Sequence, residues 1–232
     1  MNAPQHVTDA IVLTRTDYGE ADRILTLLTP TYGKVRLMAK GVRRVRSKLA
    51  GSIELFSVTN VTFVKGRGDI GTLVSARLQT YYGRIVQNID RTMLGYELIK
   101  QLHKVTEDEL ESDYFQLLEQ AFIALDDPTI SCDLIRVWFS AQLLRLSGHT
   151  PNLRTEPDGT KLATTQRYEF SFDDRAFMAR PDAPYDADVI KFLRLIFNGN
   201  IPHILARVES NAEFVARCQL LVVGLRRATL RE

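Results

Sequence analysis

Cysteine and histidine are scarce. Two cysteines, Cys132 and Cys218, lie far apart in a chain of 232 residues, which excludes a disulfide framework of the kind that staples small secreted domains, so reduced, buried thiols are expected. The four histidines, His6, His103, His149 and His203, are scattered, with no cysteine or carboxylate near them at metal-ligand spacing. None has the setting of a catalytic group. No segment approaches the roughly 18 consecutive apolar residues of a membrane span. The start of the chain carries Asp9 and polar residues where a signal peptide needs a basic start and an apolar run. A cytoplasmic protein with no membrane partner is the expectation. The single tryptophan, Trp138, sits in a helical pattern and reads as core.

Charge is present in balance but not evenly spread. The net charge is +2, yet residues 1–80 carry an excess of six positive charges, residues 81–145 an excess of five negative ones, and the remainder is nearly neutral. Segregation of this kind fits a basic module for a polyanion joined to a body with other partners. The positive excess concentrates in one stretch, residues 34–48, where Lys34, Arg36, Lys40, Arg43, Arg44, Arg46 and Lys48 occur without a single acidic residue. Such a cluster repels itself unless something negative neutralises it, and phosphate is the commonest such partner. We read it as a nucleic-acid contact, extended by Lys65 and Arg67 at a later loop tip. The plainer alternative is a solvated loop. Tyr32, next to the run, suits either a base-stacking platform or barrel packing.

The first 80 residues read as strands at 6–13, 24–28, 35–39, 57–64 and 72–78, separated by turn signals such as Asp17-Tyr18-Gly19 and Tyr32-Gly33. Five short strands with almost no helical period predict a small β-barrel, and an OB-type barrel suits an extended nucleic acid best. Helical period follows. Ile85, Ile89, Met93, Tyr96 and Ile99 fall on one arc and predict a core-facing stripe. Further helices are predicted at 114–125 and 130–146, the latter burying Leu134, Val137, Trp138, Ala141 and Leu144.

Residues 151–185 break the pattern and predict a small irregular lobe, with a hairpin of 167–172 and 176–179 around Asp173-Asp174. Helix returns at 186–197 and again from Ser210, where Glu213 stands at capping-box spacing and Phe214, Cys218, Leu221 and Leu225 share a face. The expected architecture is α+β and multi-domain: an OB-fold β-barrel at 1–80 and a helical domain at 81–232, with the lobe inserted at about 150–185.

Two motifs lead nowhere catalytic. Gly66, Gly68 and Gly71 spell GxGxxG, but a strand follows them instead of the helix whose N-terminus would hold a pyrophosphate, so a hairpin turn is expected. The acidic run Glu107, Asp108, Glu109, Glu111 and Asp113 is local in sequence, whereas metal-dependent nucleases assemble carboxylates from separate elements; it reads as a solvated interhelical loop. An enzyme is not expected.

The residues Asp17-Tyr18-Gly19-Glu20-Ala21-Asp22-Arg23-Ile24, Leu27-Leu28-Thr29, Gly33-Lys34-Val35, Ala39-Lys40-Gly41-Val42-Arg43-Arg44 and Leu49-Ala50-Gly51 together resemble the N-terminal barrel of the bacterial recombination mediator RecO family. The match is dense over the first 80 residues and consistent in layout beyond them. The resemblance implies a non-enzymatic protein that binds single- and double-stranded DNA and anneals complementary strands. It also implies engagement of the acidic tail of the single-stranded DNA-binding protein and, with RecR and in many bacteria RecF, help in loading RecA. It places Lys34, Arg36, Lys40, Arg43 and Arg44 on the family's DNA-binding surface, while Arg46 and Lys48 are added from charge alone. Many relatives carry four zinc-binding cysteines in the lobe. The matching positions here are Thr155, Asp158, Ala179 and Asp182, so no zinc or other cofactor is expected, and the lobe must be held by its hairpin and by Tyr168, Phe170, Phe172 and Phe177. Another OB-fold protein, RNA-binding or translation-associated, is the alternative reading.

Overall fold

The computed structural model describes residues 4–47, 49–66, 68–106 and 112–230. Five strands, β1 (Gln5–Tyr18), β2 (Asp22–Thr29), β3 (Gly33–Ala39), β4 (Ser57–Val64) and β5 (Ile70–Tyr81), close into a barrel in the order β1-β2-β3-β5-β4. All neighbours are antiparallel except β3 and β5, which run parallel over Arg36–Met38 and Ile70–Thr72. This is the five-stranded OB architecture. Alternation along the strands sends Ala10, Val12, Leu25, Leu27, Leu37, Ala39, Val61, Phe63 and Leu73 into one core, and Val42 and Ile53 from the connection after β3 join them. The strands are longer than the sequence predicts, because Thr14–Tyr18 pair with Asp22–Thr26 across a turn that Gly19 makes at φ +57°.

The formal GxGxxG is the β4–β5 connection, as expected. A side chain at Gly66 would lie 2.3 Å from the Ile70 carbonyl oxygen, and one at Gly71 2.6 Å from that of Val64. These glycines serve close backbone approach within a hairpin.

Helices α1 (Ile89–Val105) and α2 (Ser112–Asp126) follow a 3₁₀ turn at Ile85–Gln87. They belong with the barrel to one compact unit, Met1–Asp126, and the second unit is Asp127–Glu232. The last barrel strand ends at Tyr81, whereas the division by compactness falls after α2. Phe56 accounts for part of this: it is buried, and its ring packs edge-on against Phe122 of α2 at 5.5 Å and against Tyr96 of α1 at 5.3 Å.

The stripe predicted for α1 needs correction. Ile89, Met93 and Tyr96 are exposed, at 71%, 61% and 46%, and the buried face is Leu94, Gly95, Leu98, Ile99 and Leu102. The helix is apolar on two sides, and period alone does not say which one packs. Gly95 decides it, because its missing side chain admits the Phe56 ring.

In the second unit, α3 (Cys132–Leu146), α4 (Ala187–Phe197), a single turn α5 (Pro202–Leu205) and α6 (Asn211–Thr229) surround a core in which α3 is buried on nearly every side. Trp138 and Cys218 are both core residues. Gln142, a buried polar residue of α3, donates to the Ile196 carbonyl oxygen at 2.6 Å. The sequence misses α5, a turn begun by Pro202 at its first position. The predicted capping box does not form. Ser210 is left-handed, at φ +58°, and its side chain makes no cap bond, whereas capping needs an extended residue. Asn211 instead donates back to the Ala206 and Val208 carbonyl oxygens.

The lobe contains the predicted hairpin, β6 (Tyr168–Ser171) against β7 (Ala176–Ala179). Tyr168, Phe170 and Phe177 are buried, while Phe172 is 48% exposed and stacks edge-on with Phe170. The four positions that the resemblance matches to zinc-binding cysteines are used otherwise. Thr155 bridges to Lys161, Asp158 accepts from the Thr160 amide, the Ala179 amide donates to Glu156, and Asp182 holds a left-handed turn. Among the described residues no group of three or more His, Cys, Asp or Glu is placed to hold a metal ion, and no helix is long and apolar enough to cross a membrane.

Candidate nucleic-acid interface

Strand β3 sorts the first cations by alternation. Leu37 and Ala39 are buried in the barrel, so Lys34, Arg36 and Met38 fall on the other face. Lys34 is engaged within its own unit: its ammonium donates to the carbonyl oxygens of Thr106 at 2.6 Å and His103 at 3.2 Å, at the C-terminal end of α1. A cation there meets the negative end of the helix dipole and orphan carbonyls. Arg36 is exposed and makes no ion pair among the described residues.

The connection after β3 is tied to the β1–β2 turn. The Gly41 amide donates to Asp22 Oδ1 at 2.7 Å and the Arg43 amide to the Ala21 carbonyl oxygen at 2.9 Å. Asp17 accepts from Arg23 at 2.7 Å and lies 3.5 Å from Arg43. The Arg23 hydrogen bond, helped by the Arg43 charge, holds the Asp17 carboxyl below its ordinary range. Arg43 is therefore partly neutralised. Lys40, Arg44 and Arg46 are exposed and form no ion pair among the described residues, and between the last two Val45 projects fully into solvent. Lys48 lies outside the described residues, as do Arg67 and residues 107–111 of the acidic run.

A groove of about 350 Å³ opens on the barrel where β3 meets the β4–β5 connection. Among the described residues, Val35, Leu37 and Phe63 supply its apolar lining, Arg36, Lys34 and Lys65 its cations, and Asp69 a carboxylate. Tyr32 lines it too. Its ring meets Phe63 edge-on at 5.5 Å, its hydroxyl lies 3.3 Å from His6 Nδ1, and the Lys65 ammonium stands 5.4 Å from its ring centre. Both sequence readings of Tyr32 thus describe part of it, since the ring packs on the barrel and still faces a groove.

The structure brings Arg36 and Lys65 together at the groove and ties the connection that carries Lys40, Arg43, Arg44 and Arg46 to the β1–β2 turn through Gly41 and Arg43. Sequence reasoning missed His6, which stacks on Phe63 at 5.2 Å and braces Tyr32, and the exposed ring of Tyr18 next to Asp17. His6 gave no signal, because its partners lie more than 25 residues away. Tyr18 was hidden in a turn signature.

An OB-fold barrel followed by helices, with exposed cations along one connection and one groove, defines the class of the protein. The family profile described as Recombination protein O N terminal matches residues 1–82. The chain is 31% identical to the DNA repair protein RecO of Dehalococcoides mccartyi strain 195 over 224 residues, covering 93% of this chain and 87% of that one. It is 27% identical to the DNA repair protein RecO of Halalkalibacterium halodurans, over 86% of this chain and 80% of the relative. A third, from Rhodopirellula baltica, is 32% identical over 61% of this chain and 53% of its own length. The chain belongs to the RecO family of DNA repair proteins, and its role lies in DNA repair and recombination.

Proposed function

We propose that the protein is a non-enzymatic recombination mediator that binds single- and double-stranded DNA, anneals complementary strands and, with RecR and in many bacteria RecF, helps load RecA onto DNA coated by the single-stranded DNA-binding protein. Its place is the bacterial cytoplasm, at the nucleoid. The observation that carries the reading is the set of exposed cations, Arg36, Lys40, Arg44 and Arg46, that have no acidic partner among the described residues, on an OB barrel of this family. Annealing requires two polyanions to be held together. A basic surface screens their repulsion, and contacts to phosphate leave base edges free to pair. Binding is then independent of sequence.

A groove of about 270 Å³ in the second unit supports the tail contact. It is lined by Pro151, Leu153, Arg154, Arg194 and Phe197, and Arg194 is oriented by its bond to the Leu153 carbonyl oxygen at 2.8 Å. Two guanidinium groups beside apolar walls suit an acidic peptide with an apolar end.

Annealing of complementary oligonucleotides coated with the cognate single-stranded DNA-binding protein tests the reading: acceleration is expected, and none overturns it. With about four phosphates contacted on a single strand, log K falls against log salt with a slope of roughly −3. Preference for structured RNA in competition, or cleavage of labelled DNA with magnesium, would replace it with another function.

A further inference from the structure

The groove at Tyr32 differs in kind from the basic connection after β3. The connection offers charge to a backbone, whereas the groove offers an aromatic face, apolar walls and cations at its rim. Its volume of about 350 Å³ stands at the lower end for small-ligand clefts, enough for one nucleotide-sized group and not for a strand. The Lys65 ammonium over the Tyr32 ring marks that π-face as one that solvent-borne groups reach. Tyr32 itself cannot swing freely, because Phe63 and His6 brace it from the barrel side. A braced ring is a preorganised platform.

We infer that this groove receives one unpaired base of single-stranded DNA, stacked on Tyr32, with Lys65 displaced from the ring onto a flanking phosphate and Arg36 on the next. The inference rests on the DNA-binding reading above and adds to it a subsite that distinguishes single strands from duplexes. Every base has a π-face, so stacking adds affinity without sequence preference, and it leaves the pairing edge of the base available. In a duplex the bases are already stacked on one another and the groove stays empty, so duplex binding rests on phosphate contacts alone.

The test begins with the unaltered protein and two oligonucleotides of equal length, oligo-dT and its abasic counterpart, which share their phosphates and differ only in bases. Oligo-dT is expected to bind about tenfold more tightly, in line with one stacked base. Tyr32→Ala should abolish that difference while leaving duplex affinity and the affinity for the abasic strand unchanged, and Tyr32→Phe should preserve it. Equal binding of oligo-dT and the abasic strand by the unaltered protein overturns the base subsite. So does a Tyr32→Ala variant that keeps the tenfold difference, or one that loses duplex affinity equally. Tyr32→Trp gives a second readout, since Trp138 is buried and contributes a constant background. Oligo-dT should quench the new fluorophore, and saturation without quenching counts against stacking. Failure of the unaltered protein to bind either strand or a duplex would instead overturn DNA binding itself.

Discussion

Lys34 donates to the carbonyl oxygen of Thr106 at 2.6 Å, joining the first residues of β3 to the end of α1 across 72 positions of sequence. The most N-terminal cation of the basic stretch is thus a helix cap. Charged hydrogen bonds of this type contribute about 1.5–3 kcal/mol when one partner is removed, more than an exposed surface pair provides. Lys34→Met should therefore lower the stability of the barrel unit by about 1–2 kcal/mol in chemical denaturation, and change the salt slope of DNA binding little. A stable variant with a reduced slope would return Lys34 to the phosphate contacts.

Arg43 and Arg44 are neighbours with different duties. Arg43 lies 3.5 Å from Asp17, while Arg44 is exposed and forms no ion pair among the described residues. Arg43→Glu, Arg44→Glu together should leave the far-ultraviolet circular dichroism unchanged and remove DNA binding. Arg44→Glu alone should reduce the magnitude of the single-strand salt slope by about 0.7, the share of one phosphate. Undiminished affinity of the double variant at low salt would take this connection out of the interface.

The barrel was legible because its strands alternate with period two and are separated by Gly and Asp turns, and the lobe's hairpin because two short segments, 167–172 and 176–179, flank Asp173-Asp174. The charges of residues 34–48 were equally plain. Their division was not. Whether a lysine meets solvent or a helix end depends on chain segments far away in sequence, as with Lys34 and Thr106. The packed face of α1 escaped for a related reason, since Ile89, Met93 and Tyr96 are as apolar as Leu94, Leu98 and Leu102, and only the fit of Phe56 against Gly95 separates them.

Glu119 on α2 gives a pH dependence with a definite sign. Burial, reinforced by the charge of Asp9, raises its pKa above the ordinary 4.5, and Asp9 is fixed there by hydrogen bonds that the side-chain amides of Asn60 and Gln79 donate to its Oδ1 at 2.9 and 2.8 Å. The folded protein then binds this proton more tightly than the unfolded chain. The stabilisation is complete below the unfolded value and is lost as pH rises through the folded one. Glu119→Gln should melt at a higher temperature than the unaltered protein at pH 7, with the gap closing towards pH 4. A gap independent of pH between those values would show that Glu119 titrates as it does in the unfolded chain.

Gly95 sets two effects against each other. Replacing a mid-helix glycine by a side chain ordinarily gains up to about 1 kcal/mol of helix propensity. Here a Cβ would lie 2.5 Å from Cε1 of Phe56, and that ring has little room to retreat. Phe56 is buried, is held at φ +57°, and stands edge-on to both Tyr96 and Phe122; a bulky residue in that conformation is itself strained. Overpacking costs about 1–3 kcal/mol, and the β-branched valine recovers little propensity. Gly95→Val should thus destabilise the protein by about 2 kcal/mol, and combining it with Phe56→Leu should cost less than the sum of the two single changes. Additive costs in that cycle would mean that α1 is positioned by something other than this contact.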